Sequence, residues 1–153
     1  MDLTSLAVEL LDQLPANRTL GLTVTEVRNG IGRAMLPVSD GVRNVIGALH
    51  SSGVVALADA AALAAVLSVA PDEPTARRLQ PLGVKVRLTV RRPVRGMALA
   101  TCRLDADDRA AIASLCEGRV ERAQLTTLAV IDGDDEPAAA EGEFDWVVRL
   151  APT

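Results

Sequence analysis

The sequence predicts an α+β fold in which a curved antiparallel sheet of about six strands wraps around one long central helix. Residues 54–67 are apolar at every position except Asp59, and a helix that is apolar on all its faces has to be enclosed by the rest of the protein. Six other segments alternate apolar and polar side chains between turn signals, as half-buried strands do. A sheet that curves around the helix accounts for both observations.

Local patterns place the other elements in order. An N-terminal helix is expected over about residues 3–14, where apolar residues recur at three- and four-residue steps, and Pro15 should end it. Ser51 or Ser52 should cap the central helix, which is expected over about residues 51–69. The segments that alternate as strands are residues 22–28, 32–38, 84–90, 97–104, 119–131 and 138–150, with loops over 39–50 and 71–81 and a short helix over 105–117.

Turn signals indicate how the strands connect. Asn29-Gly30 lies between the first two strands and is a strong signal for a two-residue hairpin turn. The four strands after the central helix are joined mainly by turns, which favours antiparallel pairing because a parallel connection needs a long crossover. The length of 153 residues is that of one domain, so we expect a single domain over residues 1–153.

Composition limits the class of function. The chain has one Phe, one Trp, no Tyr and a net charge of -4, so neither base stacking nor phosphate contacts favour a nucleic acid partner. It has no apolar run long enough for a membrane span. The acidic N-terminus, which carries Glu9 and Asp12 within its apolar pattern, lacks the features of a secretory signal. We therefore expect a cytoplasmic protein without a membrane partner.

Asp59 is the residue that the pattern singles out. A carboxylate in an otherwise apolar helix loses hydration on folding, which costs several kcal/mol unless a partner compensates or the group takes up a proton. Two interpretations follow. Asp59 is either a functional acid–base group, or a structural residue that bonds a nearby main-chain amide or faces solvent at the helix edge.

His50 is the only histidine and lies just before the central helix. It is either a local hydrogen-bonding residue or a base. A helix N-terminus presents free N–H groups and the positive end of the helix dipole, which suit a developing oxyanion, and the amides of residues 51–53 are the candidates. Ser52 and Asp59 share a helix face but lie about 10 Å apart along the axis. They act on one atom only if two copies of the helix lie antiparallel in a dimer.

These residues resemble those of the hotdog-fold acyl-CoA thioesterases, in particular the phenylacetate-pathway and human acyl-CoA thioesterase group and a related, largely uncharacterised subgroup. That family has an Asn, a His-Gly-Gly six residues later, and an Asp nine residues after the His in the central helix. Asn44, His50 and Asp59 keep both intervals. Residues 84–96 are similar to the family's following strand and turn, and residues 143–148 to the last strand of the subgroup.

The resemblance implies a hotdog fold and hydrolysis of an acyl-CoA or acyl-carrier-protein thioester. No metal or organic cofactor is implied, since coenzyme A is part of the substrate. Asp59 would act as general base on water or as nucleophile toward the thioester carbonyl. The Ser51 N–H would polarise that carbonyl, and Asn44 would position substrate or water. His50 would orient the loop and the first helical turn. The protein would form a homodimer, or a dimer of dimers.

Two positions depart from the family pattern. His-Gly-Gly has become His50-Ser51-Ser52, which is compatible with the site only if the serines need no positive φ. Relatives often have Ser or Thr near the start of the following strand, where this chain has Gly83. Both changes leave open a non-catalytic module that binds acyl-CoA, whereas a hydratase or dehydratase is disfavoured by the spacing of His and acid.

Further residues are expected to contact the substrate. The arginines on and after the strand at 84–90 would either meet a coenzyme A phosphate or form a solvated strand face. An acyl tunnel would be lined by Val54, Val55, Leu57 and Leu63. The expected substrate-binding residues are Ser52, Gly53, Gly83, Arg87, Arg91 and Arg92.

Overall fold

The computed structural model describes residues 2–153 and contains one six-stranded antiparallel sheet curved around a single long helix. This is the α+β architecture that the sequence predicts. The strands are β1 (Thr23–Arg28), β2 (Ile31–Pro37), β3 (Leu79–Val90), β4 (Met97–Arg103), β5 (Ala123–Asp132) and β6 (Ala140–Leu150), in the sheet order β1-β2-β4-β5-β6-β3. The helices are α1 (Leu3–Ala7), α2 (Pro15–Leu20), α3 (Ser51–Leu67), α4 (Glu73–Arg78) and α5 (Ala106–Cys116).

The central helix α3 lies directly against the sheet because glycines and alanines meet there. A Cβ on Gly32 of β2 would lie 2.1 Å from the Ala61 carbonyl oxygen, and a Cβ on Gly142 of β6 would lie 2.4 Å from the Ala58 Cβ. These distances leave no space for a side chain on either glycine. Neither α3, with 17 residues, nor any other helix of residues 2–153 is long and apolar enough to cross a bilayer.

The N-terminal segment differs from the predicted helix over residues 3–14. The helix α1 ends at Ala7 and continues as a π-helical turn, Val8–Asp12, and Pro15 begins a second helix, α2. Proline suits the first turn of a helix because its missing N–H needs no partner there. Leu6 and Leu11 are buried in the core, so this segment packs on the sheet next to β1.

The region around the end of α3 also differs from the prediction. The helix ends at Leu67 with Ser68 as its C-cap, two residues before the predicted end. The following segment, predicted as a loop, contains α4 and the first residues of β3, which begins at Leu79. Asp72 caps α4 by accepting a main-chain N–H with its carboxylate, and this local bond stabilises a helix too short to show a periodic pattern.

The hairpin between β1 and β2 has the turn that the sequence predicts. Asn29 and Gly30 have φ angles of 50° and 76°, the positive values that a type I′ turn requires. The remaining strand order does not follow the chain. The strand β3 pairs with β6 and not with β4, so the connection from β3 to β4 passes the two strands between them.

The strand β3 is a long and exposed edge. It pairs with β6 on one side, and no strand of the described residues pairs with it on the other. Natural sheets usually protect such an edge with charges, a bulge or a covering segment. This edge has one bulge but also carries four large apolar side chains that are 42–65% exposed: Leu82, Val84, Val86 and Val90.

Candidate active site

Asp59 lies on the one face of α3 that the sheet leaves partly open. No residue among 2–153 forms a hydrogen bond or ion pair with its carboxylate, and burial raises the pKa of Asp59 from its usual 3.8 to about 6. A carboxylate in this range is suited to act as a general base near neutral pH. The open face comprises half-buried or exposed residues at helical spacing, namely Ser52, Val55, Ala56, Asp59 and Leu63.

His50 is the N-cap of α3, the position for which Ser51 or Ser52 had been expected. Its Nδ1 accepts the N–H of Ser52 at 3.1 Å and lies 2.8 Å from the Ser52 Oγ. Because Nδ1 accepts a main-chain N–H, the proton of neutral His50 is on Nε2. The ring therefore fixes the first helical turn, which suits the orienting role that the resemblance implies.

The first turn of α3 leaves one main-chain N–H free. The Ser52 N–H goes to the His50 ring, and the Gly53 N–H goes to the His50 carbonyl oxygen at 2.9 Å. The Ser51 N–H has no partner among residues 2–153, so it remains as a donor at the positive end of the helix. Neither Ser51 nor Ser52 has a positive φ, so both side chains fit the backbone without strain.

Asn44 shapes the loop that leads into α3. Its side-chain oxygen accepts the N–H groups of Ile46 at 3.1 Å and Ala48 at 3.0 Å. Its main-chain N–H also donates to the Ala48 carbonyl oxygen at 2.8 Å. With the oxygen engaged in the loop, the side-chain NH2 group is the part of Asn44 that can bind a substrate or a water molecule.

A cavity of about 260 Å³ opens between this loop and the turn that follows β3. A hydrogen bond of 2.8 Å from the Leu49 N–H to the Val94 carbonyl oxygen joins the two walls. Asn44, Arg91 and Arg92 reach the cavity, and its other lining side chains are apolar. Cavities of about 480 and 500 Å³ elsewhere contain none of the predicted site residues.

Gly83 pairs with Trp146 across β3 and β6. A Cβ at this position would lie 3.2 Å from a ring carbon of Phe144, tighter than most van der Waals contacts. The rings of Phe144 and Trp146 stack with centroids 4.9 Å apart. The stacked pair therefore lies against Gly83, and a side chain there would require the rings to shift slightly.

The three predicted arginines already have partners in the chain. Arg87 pairs with Glu143 and Arg91 with Glu141, each at 3.0 Å. Arg92 donates to a main-chain oxygen, and like Arg91 it lines the cavity, whereas Arg87 does not. These pairs are on the surface, so each contributes little to stability, but they reduce the positive charge offered to a phosphate.

The structure thus divides the predicted residues into two half-sites. Asn44, His50 and Ser51 form one cluster at the entrance of α3. Asp59 is eight residues beyond Ser51, which places it roughly 12 Å further along the helix axis. One chain therefore holds a free amide and a lone carboxylate at separate places on the same helix.

A curved antiparallel sheet around one central helix is the hotdog fold, and solved structures of thioesterases share it with this chain. No family model matches the sequence, and no curated protein matches it significantly. A Pseudomonas aeruginosa protein of unknown function, described as a probable thioesterase, is similar with a TM-score of 0.77 at 23% identity over 96% of this chain and 95% of that chain.

Two thioesterases solved as glutamine-to-alanine variants are also similar. One, from Staphylococcus aureus, has a TM-score of 0.69 at 15% identity and covers 89% of this chain and 99% of its own. The other, from Pseudomonas aeruginosa, has a TM-score of 0.68 at 17% identity and covers 94% of both chains. At these identities the likeness establishes the fold.

Proposed function

We propose that this protein is a cytoplasmic homodimeric thioesterase that hydrolyses acyl-CoA or acyl-carrier-protein thioesters. The observation that carries the proposal is the pairing of a lone carboxylate, Asp59, with a free N–H, that of Ser51, on one helix. A base and an oxyanion donor are the two groups that hydrolysis of a thioester needs most. The thioesterases among the similar structures support this reaction class.

A second copy of the chain would bring the two half-sites together. The helix α3 contacts β3 as well as the other strands, and in the proposed dimer its open face would turn toward the exposed edge of the sheet. Two copies that pair their β3 edges antiparallel would extend the sheet and place the two α3 helices side by side in opposite directions. Asp59 of one copy would then lie near the Ser51 N–H of the other. The exposed apolar side chains of both edges would be covered.

In this arrangement the chemistry proceeds with protein groups and water. Asp59 removes a proton from water, and the water oxygen attacks the thioester carbonyl carbon. The carbonyl electrons move to oxygen, where the Ser51 N–H stabilises the negative charge. When the intermediate collapses, the C–S bond breaks and the thiolate leaves with its electron pair. The thiolate then takes up the proton that Asp59 removed from water, which returns Asp59 to its ionised form. The NH2 group of Asn44 holds the thioester or the water in position.

The spacing in a structural neighbour supports the pairing of Asn44 with Asp59. The Staphylococcus aureus protein has been solved with a glutamine replaced by alanine and also with a glutamate replaced by alanine, at positions 15 residues apart. Asn44 and Asp59 are separated by the same interval. An amide and a carboxylate therefore recur at one spacing in two chains that share a fold.

A non-catalytic module that binds acyl-CoA is the second candidate. It is favoured by Gly83, because glycine offers no hydroxyl at a position where related enzymes often have Ser or Thr. The two serines after His50 also narrow the space next to the free N–H. Such a module would bind thioesters without releasing a thiol.

Thiol release from a panel of acyl-CoAs tests the proposal. Asp59→Asn keeps the size of the side chain but removes the base, so kcat/KM should fall by roughly 10²- to 10⁴-fold. Asp135→Asn makes the same change at an exposed turn and should leave the rate unchanged. Because the base works only when ionised, the wild-type rate should rise with pH through the pKa of Asp59. That pKa is about 6 in a single chain and lower where the Ser51 N–H of a second copy approaches the carboxylate.

Two outcomes would contradict the proposed hydrolysis. Equal rates for wild type and Asp59→Asn would remove the catalytic role of the carboxylate. Binding of acyl-CoA without any thiol release would instead identify the non-catalytic module.

A further inference from the structure

We infer that the acyl group of the substrate occupies the cavity between the loop at residues 44–49 and the turn at residues 91–94. We further infer that this cavity limits the acyl chain to about eight carbons. The cavity measures about 260 Å³, and a group the size of a water molecule or methylene takes ~30 Å³. This inference rests on the proposed thioesterase function and names the substrate class of that site.

The alternative path for the acyl chain, between the central helix and the sheet, is closed. Even a single methyl group on Gly142 would lie 2.4 Å from Ala58, and one on Gly32 would lie 2.1 Å from the main chain at Ala61. A methylene needs about 4 Å to its neighbours, so an acyl chain does not pass beside either strand. Leu57, which the sequence placed in a tunnel, is fully buried in the core.

Two residues that flank the start of α3, Leu49 and Val54, connect the first helical turn to the cavity. Val54 follows Ser51 by three residues and lines the cavity, and only 1% of its surface is exposed. Ile46, Val90 and Val94 complete an apolar wall. A thioester whose carbonyl oxygen meets the Ser51 N–H can therefore lay its acyl chain along these aliphatic side chains, of which Val54 and Val94 are buried.

Charged groups end the apolar space. Arg91 and Arg92 line the same cavity, and Arg91 is held by its ion pair with Glu141 at 3.0 Å. A chain longer than the cavity would have to continue against these guanidinium groups or into solvent. Neither contact gives the gain in free energy that burial of a methylene among aliphatic side chains gives. The benefit of chain length should therefore stop when the cavity is full.

The test compares two identical substitutions on β3. Val90→Phe puts a ring into the cavity, whereas Val86→Phe puts the same ring on the same face of the same strand, outside the cavity. Wild-type kcat/KM should rise by roughly fourfold per added methylene up to about eight carbons. Val90→Phe should lower the octanoyl-to-acetyl ratio of kcat/KM by roughly tenfold or more. Tenfold is a smaller change than the loss of two methylene contacts would give at about fourfold each. Val86→Phe should leave this ratio as it is.

Failure of this inference is distinct from failure of the proposed function. If acyl-CoAs are hydrolysed but Val90→Phe leaves the ratio unchanged, or if palmitoyl-CoA is the best substrate, the cavity assignment is wrong and the thioesterase stands. If no acyl-CoA is hydrolysed, calorimetry with S-ethyl- and S-octyl-CoA still tests the cavity. The assignment then requires tighter binding of the octyl compound by wild type and loss of that preference in Val90→Phe, and equal Kd values would overturn it.

Discussion

The two sides of the central helix differ in how completely they are packed. Toward β2 and β6, alanines of α3 contact Gly32 and Gly142 so closely that no side chain fits between. On the open side, half-buried aliphatic residues and the carboxylate of Asp59 meet no comparable wall. The closed side accounts for the stability of the fold, while the open side carries groups that cost stability in a single chain. Such groups mark a surface that works with a partner or a substrate.

A substitution on the closed side of the central helix should give the largest of the predicted effects, a loss of stability. Gly32→Ala places a methyl group 2.1 Å from the Ala61 carbonyl oxygen and 2.4 Å from the Ala65 nitrogen. Because both atoms belong to the main chain, the helix or the strand has to move, and the free energy of unfolding should fall by about 3 kcal/mol or more. Urea unfolding followed by circular dichroism measures this.

Gly41→Ala is the matched control for that experiment. A Cβ on Gly41 meets nothing within 4 Å, and its φ is not positive, so the free energy of unfolding should change by less than about 1 kcal/mol. If the two alanine variants were equally stable, the close contact between helix and sheet would be contradicted.

The open side should make stability depend on pH. The folded-state pKa of Asp59 is about 6 against a usual 3.8, so the folded protein holds this proton more tightly than the unfolded chain does. The stabilisation is complete below about pH 4 and is lost as pH rises through about 6, in total roughly 3 kcal/mol. Asp59→Asn has no such proton. Its free energy of unfolding, relative to wild type, should therefore rise between about pH 4 and pH 7.

Urea unfolding of wild type and Asp59→Asn across this pH window checks the prediction. The protein should be dilute, because a second copy that brings its Ser51 N–H to the carboxylate would favour the charged form and reduce the effect. Parallel pH profiles for the two proteins would show that the carboxylate is compensated within one chain.

The contrast between the two sides could be predicted only in part from the sequence. The apolar run around Asp59 and the Asn29-Gly30 turn are local patterns, and the structure contains both the helix and the hairpin. The exposure of β3 depends on which strands are neighbours, and that is decided by residues far apart in the chain. A period of two over residues 84–90 predicts a half-exposed strand, whereas most of these residues are exposed whichever face they lie on.

The candidate site was predictable to a similar extent. The intervals between Asn44, His50 and Asp59 are visible in the sequence, but the choice of N-cap is not, because His and Ser can both accept a main-chain N–H. The structure shows that the His50 ring accepts the Ser52 N–H and that the Ser51 N–H stays free. Val90 and Val94 were not predicted to line the cavity. A turn signal shows where the chain reverses direction, but not which part of the protein the turn packs against.

A substitution at the exposed edge of β3 should give the smallest of these effects. Its effect on dimer dissociation tests whether two copies meet at the open side. Leu82 on β3 is 65% exposed, and Leu128 on the inner strand β5 is 44% exposed. Leu82→Lys adds a cation to each copy at the edge, so the Kd of the dimer should rise at least roughly tenfold while the monomer remains folded. Leu128→Lys adds the same charge away from the edge and should leave the Kd unchanged in sedimentation equilibrium. Hydrolysis by Leu82→Lys should fall at low concentration and recover as the protein is concentrated, because each site of the proposed dimer takes groups from two chains. A variant that sediments as a monomer and still hydrolyses thioesters at the wild-type rate would mean that Asp59 and the Ser51 N–H act without a second helix.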